Sequence, residues 1–200
     1  MNLLMDIPKP LLTKAIAGDE QSFSKVVQLL LPALYQFIFL IVRDHDLAED
    51  IVQETWIKAW KHRSRFDPKF SFKTWLYTIG KHTAFDMLKK KQPLPLSFFS
   101  DEAGEFSFEK EILHEAEIVR SLDQASLAEY FDEALGELPI LYRTLLILVY
   151  REDYDLHEAA SLLGEPYNTI KSRHQRGLKQ LRVILERKHA SKNSPHSYLE

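Results

Sequence analysis

The sequence predicts an all-α protein with two small helical domains joined by an acidic flexible linker, the second domain being a helix-turn-helix. Apolar residues recur at intervals of three and four, which is the period of amphipathic helices and not of strands. Charge is also segregated along the chain. Residues 58–91 carry ten Lys or Arg against two acids, residues 101–137 carry twelve acids against two cations, and residues 165–192 carry eight Lys or Arg against two acids.

The boundaries follow from these blocks. The stretch "KKKQPLPLSFFSDEAGEFS" closes the first helical set with prolines, a glycine and serines, and so marks the linker. The predicted parts are a first domain, the linker, a second domain and a frayed tail: 1–92, 93–125, 126–188 and 189–200. Helices are predicted near residues 10–17, 20–31, 33–43, 46–61, 72–91, 126–136, 139–150, 156–163 and 167–187.

Composition excludes several classes of protein. Cysteine is absent, so disulfides, thiolate catalysis and cysteine-bound zinc are excluded, and a reducing compartment is the natural setting. The longest apolar run, residues 34–42, is shorter than the roughly 20 residues that a membrane span needs, and no export signal leads the chain. We therefore expect a cytoplasmic protein without membrane insertion.

The helix at residues 46–61 has two different sides. Asp46 is its predicted N-cap, and Glu49 completes a capping box. Apolar residues fall on one side, and a second group gathers opposite them: Asp50, Gln53, Glu54, Ile57 and Lys61. The exposed side is either an ordinary solvated surface or a docking stripe, and this helix alone leaves both open. A metal site at His45 is disfavoured because no earlier histidine completes a ligand set.

The helix at residues 72–91 combines lysines and aromatic rings on its predicted outer side. That side carries Lys73, Thr74, Tyr77, Thr78, Lys81, Phe85 and Lys89, with His82 at its margin. Rings stack on unpaired bases and lysines neutralise phosphates, so the surface suits single-stranded DNA. The alternative is that Tyr77 and Phe85 bury against the first helices. The preceding loop is a candidate pocket for a flipped base through Arg63, Arg65, Phe66, Lys69 and Phe70.

The stretch "YDLHEAASLLGEPYNTIKSRHQRGLKQLR" predicts the helix-turn-helix. A short helix meets a turn at Gly164, and a second helix opens at Pro166, where proline loses no helical hydrogen bond. Three residues are predicted to pack the two helices together: Ala160, Leu163 and Ile170. The outer side of the second helix is predicted to enter a major groove, with Arg173 able to reach the DNA backbone. The residues of that outer side are Tyr167, Asn168, Lys171, Ser172, Gln175 and Arg176, and Thr169 lies near the exposed N-terminus of the helix, where backbone N–H groups face phosphates. A basic helix that merely lies on the surface is the alternative.

Three motifs occur in succession: "GDEQSF…LYQF…DLAEDIVQETWIKAW", "RFDPKFSFKTWLYTIGKHTAFDMLKKK" and "ALGELPILYRTLLILVYREDY…LLGEPYNTIKSR". Together they resemble the extracytoplasmic-function (ECF) sigma factors, the two-domain class of the sigma-70 superfamily. The resemblance implies a protein with no catalytic residues and no cofactor that directs bacterial core RNA polymerase to specific promoters and promotes DNA melting at initiation. Residues 10–91 would engage polymerase and the minus-ten element, and residues 130–187 the minus-thirty-five element.

The resemblance also implies roles for individual residues. The polymerase-docking positions of the family fall on Asp50, Gln53 and Glu54, beside Ile57, and meet the coiled coil of the largest polymerase subunit. Promoter opening would use residues 63–82, including Trp75, with both duplex DNA and the melted non-template strand as partners. An anti-sigma factor that covers the two domains is a further candidate partner.

Five positions depart from the family pattern and leave base preference open. Asn168 stands where the family commonly has glycine, His174 leucine, Gly177 alanine, Ala159 isoleucine and His82 asparagine. Two other function classes remain as alternatives. One is a stand-alone helix-turn-helix transcription regulator that never meets polymerase, and the other is a metal-dependent hydrolase with a site at His45.

Overall fold

A computed structural model describes residues 7–91 and 124–192 of the chain. Within these two ranges the structure consists of helices and the turns between them, without a strand, so the predicted all-α class is confirmed. The described residues form two compact units, 7–91 with 161–164 and 124–160 with 165–192. The predicted linker lies outside the described ranges except for residues 124 and 125, which begin a helix.

The helix bounds agree with most of the predicted segments. Before the linker lie α1 (Lys9–Ile16), α2 (Glu20–Val42), α3 (His45–His62), a 3-10 turn (Arg63–Arg65) and α4 (Phe72–Lys91). After the linker lie α5 (Gln124–Glu137), α6 (Ile140–Tyr150), α7 (Leu156–Leu163) and α8 (Tyr167–Lys192). The largest differences are in α2 and at the end of α8, which continues beyond the predicted end at residue 187.

α2 corrects the prediction of two separate helices at 20–31 and 33–43, because the helix continues through Pro32. Proline lacks the N–H that a helix interior uses and crowds the preceding turn, at a cost of about 3 kcal/mol or more. Pro32 and Gln28, whose carbonyl loses its partner, are both exposed, so water reaches that carbonyl. Burial of apolar residues on both sides of the proline, such as Leu30 and Leu34, keeps the two halves in one helix.

By length and composition alone, α2 is apolar enough to cross a membrane. One side of it forms the core of the first unit, where Phe37, Ile38 and Ile41 are fully buried. The core helix of a soluble protein passes the same test of length and composition, so α2 carries no argument for a membrane span.

A tight turn between α2 and α3 sets the direction of α3. Arg43 ends α2 in the left-handed conformation (φ 59°), and its N–H donates to the Phe39 carbonyl oxygen at 2.7 Å. The carboxylate of Asp44 then accepts a hydrogen bond from the N–H of Leu47 at 2.9 Å. Asp44 is therefore the N-cap, and the predicted cap at Asp46 is wrong. Asp46 lies in the first turn, where its negative charge still favours the helix dipole.

α4 approaches α2 closely at a glycine. A Cβ at Gly80 would lie 3.1 Å from Ile38 Cδ1 and 3.3 Å from Leu34 Cδ1, so a larger side chain would push the helices apart. Near Gly80, the Tyr77 ring stacks on Phe37 with centroids 4.2 Å apart and planes at 10°. These contacts fix which side of α4 faces the core, and therefore which side faces solvent.

In the second unit α6 is the central helix, because four consecutive residues, 145–148, are fully buried. α8 packs against α6 where a Cβ at Gly177 would lie 3.4 Å from Tyr142 Cβ. α5 is tied to the far part of α8, since the Tyr130 hydroxyl donates to the Leu185 carbonyl oxygen at 2.7 Å. The middle and far parts of α8 are thus structural, which leaves its first turns for another role.

Candidate docking and nucleic-acid interfaces

The polar side of α3 faces solvent, as predicted. Asp50 and Gln53 are exposed, Glu54 is partly exposed, and Ile57 keeps 41% of its surface exposed. Glu54 pairs with Lys58 one turn later at 3.8 Å, and such a surface pair contributes little to stability. Asp50, Gln53, Glu54 and Ile57 therefore form one exposed row on α3, called here the α3 row.

An apolar groove of about 830 Å³ runs beside the α3 row, between α2 and α3. Its walls include Leu31, Pro32, Tyr35, Trp56, Ile57 and Trp60. Leu31 and Ile57 are large apolar residues that remain exposed on its two sides. Exposed apolar patches rimmed by polar residues mark interaction sites, so the groove favours the docking interpretation of α3 over a plain solvated surface.

The α2 side of this groove was not predicted from the sequence. The sequence pattern places Leu31 and Pro32 at a boundary between two helices. In the structure both residues belong to the single helix α2 and line the same groove. A usable signal was present in the leucine run at residues 29–31, because three consecutive leucines spread over a wider arc of a helix than one buried stripe covers.

His45 is engaged with aromatic residues of α2. Its Nδ1 lies 2.8 Å from the Tyr35 hydroxyl oxygen, and its ring stacks on Phe39 with centroids 4.2 Å apart. Among residues 7–91 and 124–192, no group of three or more His, Cys, Asp or Glu is placed to hold a metal ion. The site at His45 that a hydrolase would need is therefore not formed by the described residues.

The loop between α3 and α4 places cations and one ring on the surface. Arg65 and Lys69 are exposed, and Phe70 keeps 70% of its surface exposed. Arg63 lies over the Trp60 ring, 3.9 Å from its centroid, and donates to the Trp60 carbonyl oxygen at 2.7 Å. The Arg63 guanidinium is therefore held in place, whereas Phe70 stands out from the surface.

Three of the residues predicted to contact DNA are buried instead. Phe66 packs edge-on against Phe72, with centroids 5.3 Å apart. Tyr77 is 1% exposed because α4 turns this side toward Phe37 of α2, which is the alternative that the sequence left open. Lys81 is 3% exposed, and its Nζ donates to the Leu163 carbonyl oxygen at 3.1 Å, in the 161–164 segment of the same unit. The outward positions predicted for Tyr77 and Lys81 are wrong, and Phe66, predicted to line a base pocket in the loop, is buried.

The side of α4 that remains at the surface is basic and polar. Lys73 is partly exposed, with its Nζ 5.1 Å from the centroid of the Tyr77 ring. His82 is exposed, yet partial loss of solvation and, next, the positive charge of Lys81 lower the pKa of its imidazole. Arg63, Arg65 and Phe70 of the preceding loop, together with Lys73 and His82 of α4, form what we call the loop surface.

α7, the following turn and α8 form the predicted helix-turn-helix. Gly164 supplies the turn with φ 71°, a conformation that residues with a side chain rarely adopt. The three residues predicted to pack the helices are all buried: Ala160, Leu163 and Ile170. At the start of α8 the outer side is open, with Asn168 and Lys171 exposed and Tyr167, Thr169, Ser172, Gln175 and Arg176 partly exposed.

Arg173 differs from its predicted orientation. Its side chain is buried, and its guanidinium pairs with the Glu165 carboxylate at 2.7 Å. The pair links the turn to the second turn of α8, so Arg173 organises the start of this helix instead of reaching outward. Replacing Glu165 would be the more costly change, because it takes the carboxylate away from a buried guanidinium, whereas replacing Arg173 leaves a partly exposed carboxylate that water can reach.

His174 lies beside Tyr150 of α6. Its Nε2 is 3.1 Å from the Tyr150 hydroxyl oxygen, and the two rings stack with centroids 5.7 Å apart. Burial lowers the pKa of His174, because the charged imidazolium loses more solvation than the neutral ring. The folded protein therefore keeps His174 neutral at pH values where the unfolded chain already protonates it.

Acidification is expected to destabilise the wild-type protein more than a His174→Leu variant. The unfolded chain protonates His174 near the usual pKa of about 6.5, whereas the folded protein takes up that proton only at lower pH. The stability that neutral His174 contributes is thus present above about pH 6.5 and is lost as the pH falls from there through the folded pKa. Denaturant titrations at about pH 7.5 and 5.5 should show a smaller loss in the variant. An equal loss of unfolding free energy in both proteins would contradict a lowered pKa for His174 in the folded protein.

Two protein-family models match the chain, one before and one after the linker. The model described as Sigma-70 region 2 matches residues 26–93, and the model described as Sigma-70, region 4 matches residues 128–181. The first match includes the α3 row and the loop surface, and the second includes the helix-turn-helix. The two matches, one in each helical unit, define a transcription-initiation factor of the sigma-70 type.

Relatives that align over nearly their whole length are also sigma factors. RNA polymerase sigma factor SigV of Bacillus subtilis (strain 168) is 33% identical over 187 residues, which is 92% of this chain and 96% of SigV. ECF RNA polymerase sigma factor SigW of the same strain is 29% identical over 175 residues, 84% of this chain and 91% of SigW. The chain belongs to the sigma-70 family, among the ECF RNA polymerase sigma factors. It directs core RNA polymerase to promoters and promotes DNA melting at initiation, so its partners are core polymerase and promoter DNA.

Two solved structures share this fold. The sigma factor RpoE from Bartonella quintana, in complex with the anti-sigma factor NepR, has a TM-score of 0.60 and 28% identity, covering 83% of this chain and 98% of RpoE. CnrH, in complex with the cytosolic domain of CnrY, has a TM-score of 0.62 and 22% identity, covering 90% of this chain and 98% of CnrH. The likeness to CnrH concerns the fold alone.

Proposed function

We propose that the chain acts solely as a specificity subunit, without covalent chemistry of its own, and that it docks on core polymerase through the α3 row and the adjoining groove. The observation that carries this proposal is that Gln53 and Ile57 belong both to the exposed row and to the wall of the groove. The wall also holds Glu49 and Lys61, and the carboxylates of Asp50 and Glu54 lie beside it, so the groove suits a helical partner with an apolar ridge and flanking charged residues, mainly cations. The coiled coil of the largest polymerase subunit is the proposed partner.

The loop surface is proposed to hold the melted non-template strand of the minus-ten element. Phe70 offers an exposed ring on which an unpaired base can stack, and such stacking contributes about 1–3 kcal/mol per base. Arg65 and Lys73 supply positive charge for the adjacent phosphates. Capture of unpaired bases pulls the melting equilibrium toward the open state. Tyr77 makes no direct contact with DNA in this assignment and supports α4 from within the core. Lys81 likewise makes no direct contact with DNA, because its side chain is buried.

The first turns of α8 are proposed to enter the major groove of the minus-thirty-five element. The proposed DNA contacts are Tyr167, Asn168, Thr169, Lys171, Ser172 and Arg176, while Arg173 keeps the turn and the helix in register. Amide and basic side chains at these positions suit hydrogen bonds to base edges and phosphates. The corresponding functional division is residues 1–92 for docking and the minus-ten element, and residues 126–188 for the upstream element.

Lys171→Ala is expected to weaken binding of the holoenzyme to the upstream element and to reduce its salt dependence. Lys171 is exposed at the proposed interface, and loss of one phosphate contact lowers the slope of log K against log salt by about 0.9. Arg187→Ala is the matched control, because it removes one positive charge about 24 Å further along α8. Binding measured over a series of salt concentrations should separate the two variants. An unchanged slope for Lys171→Ala would remove this residue from the interface.

We further propose that the protein works in the cytoplasm and that an anti-sigma factor competes with polymerase for the groove. The support for a competitor is twofold: RpoE of Bartonella quintana is found in complex with the anti-sigma factor NepR, and Leu31 and Ile57 are exposed in the free chain. An exposed apolar surface of this kind marks an interaction site, and a second protein can cover it as well as polymerase can. A bound competitor should block Ile57 from solvent, which hydrogen exchange along α3 would detect.

Transcription from a randomised promoter pool tests the proposed function. With core polymerase, the full chain should produce transcripts that start at a defined distance from two enriched sequence elements. Core alone should start without such enrichment, and the chain alone should not open DNA. A stand-alone regulator would instead bind duplex DNA tightly without core and would leave the starts of core unchanged.

A further inference from the structure

A histidine of α7 stacks on the first residue of α8. The rings of His157 and Tyr167 have centroids 4.0 Å apart and planes at 8°. His157 is exposed and Tyr167 is partly exposed, so the two rings form a pair at the surface and not in the core. A stack of this kind fixes the orientation of a surface tyrosine that would otherwise choose among several rotamers.

The position of Tyr167 makes its orientation important. It is followed by Asn168, and Lys171 lies one turn later, both of them exposed. In helix-turn-helix proteins the first residues of the second helix contact base edges in the major groove. A tyrosine at this position therefore contributes to base preference in one ring orientation and blocks or loses contacts in another.

The backbone that carries His157 is itself fixed by a capping box. The carboxylate of Asp155 accepts hydrogen bonds from the N–H of His157 at 2.7 Å and from the N–H of Glu158 at 2.8 Å. The Glu158 carboxylate in turn accepts a hydrogen bond from the N–H of Asp155 at 2.9 Å. The imidazole is thus carried on a rigid helix start, which gives Tyr167 a fixed surface to stack on.

We propose that His157 is a positioning residue for promoter recognition, which holds the Tyr167 ring in the orientation that reads the minus-thirty-five element. The inference rests on the proposed function of α8 and adds a residue of α7 that does not itself need to touch DNA. What His157 provides is a flat ring at stacking distance, so another flat ring should replace it and alanine should not.

The test is selection of bound sequences by reconstituted holoenzyme from a duplex pool randomised across the upstream element. Wild type, His157→Ala, His157→Phe, Tyr167→Ala and the double alanine variant are compared. His157→Ala should lower affinity for the wild-type selected sequence by about three- to tenfold and broaden the selected motif. His157→Phe should restore both, and the double variant should bind no worse than Tyr167→Ala alone. Salt dependence should stay at the wild-type value in all of them.

The outcomes separate the inference from the proposed function. If the wild-type holoenzyme selects no upstream motif, the proposed function of α8 fails. If the wild type selects a motif that Tyr167→Ala changes and His157→Ala does not, only the positioning role is overturned. If His157→Phe behaves like His157→Ala, the imidazole nitrogens act on DNA directly, and the stacking role is likewise overturned. Unfolding temperatures of all variants show whether α7 remains folded.

Discussion

Replacement of Ile57 by glutamate is expected to weaken binding to core RNA polymerase by about 30-fold or more while the chain unfolds at its wild-type temperature. Ile57 is 41% exposed at the wall of the groove, so the free protein can accept a carboxylate there at little cost. In the complex the same carboxylate would be buried without a partner. Changes of this kind at the centre of an interface cost about 2 kcal/mol or more, which is roughly a 30-fold loss of affinity.

Val183→Glu is the matched control for Ile57→Glu. Val183 is 58% exposed on α8, so the substitution adds the same charge at an apolar surface residue of the other unit. Titration of fluorescently labelled chains with core polymerase gives the three affinities, and thermal unfolding of the free chains gives their stability. Val183→Glu should bind like wild type. Wild-type affinity for Ile57→Glu would remove the groove from the docking surface.

Alanine substitutions at Tyr77 and Phe70 are expected to affect different properties: the first lowers stability and the second weakens promoter melting. Tyr77→Ala removes a buried ring that stacks on Phe37, so the free energy of unfolding should fall by about 3–5 kcal/mol. Phe70→Ala changes a ring with 70% of its surface exposed, so stability should stay within about 0.5 kcal/mol of wild type. Promoter melting should weaken with Phe70→Ala, because one stacked base loses about 1–3 kcal/mol.

Denaturant titration measures stability, and a fluorescent base analogue in the non-template strand reports melting by the holoenzyme. A Tyr77→Leu variant, which keeps an apolar side chain, covers the case in which alanine prevents folding. It should melt promoters like wild type once it is folded. If Tyr77→Leu keeps its stability and loses melting, the ring acts on DNA and its assignment to the core is wrong.

Periodicity was sufficient to predict most helices because burial on one side of a helix forces a repeat of three and four residues. It failed where a local rule and a tertiary contact disagree. Pro32 locally argues for a break, yet burial on both sides of it keeps α2 continuous through residue 32. Asp44 and Asp46 are both good caps by type, and the left-handed Arg43 decides between them, which a sequence pattern does not show.

The candidate surfaces were predicted where one helix defines them and mispredicted where two meet. The α3 row follows from a single helical wheel, so its exposure could be predicted. Tyr77 fits either side of α4 by its chemistry, and only the contact with Phe37 settles its side. The groove is made by two helices and has no signature in either one alone. Glu165 and Arg173 are eight residues apart, and their pairing depends on the turn that brings α8 back.

Size-exclusion chromatography of the purified chain with bacterial core RNA polymerase tests the central claim most directly, because specific docking must precede every later step. The comparison is a variant with Asp50, Gln53 and Glu54 all changed to alanine, whose exposed or partly exposed positions predict a normal fold. The wild-type chain should co-elute with core polymerase and the folded triple variant should not. Co-elution of both would contradict docking through the α3 row, and co-elution of neither would contradict docking on core polymerase itself.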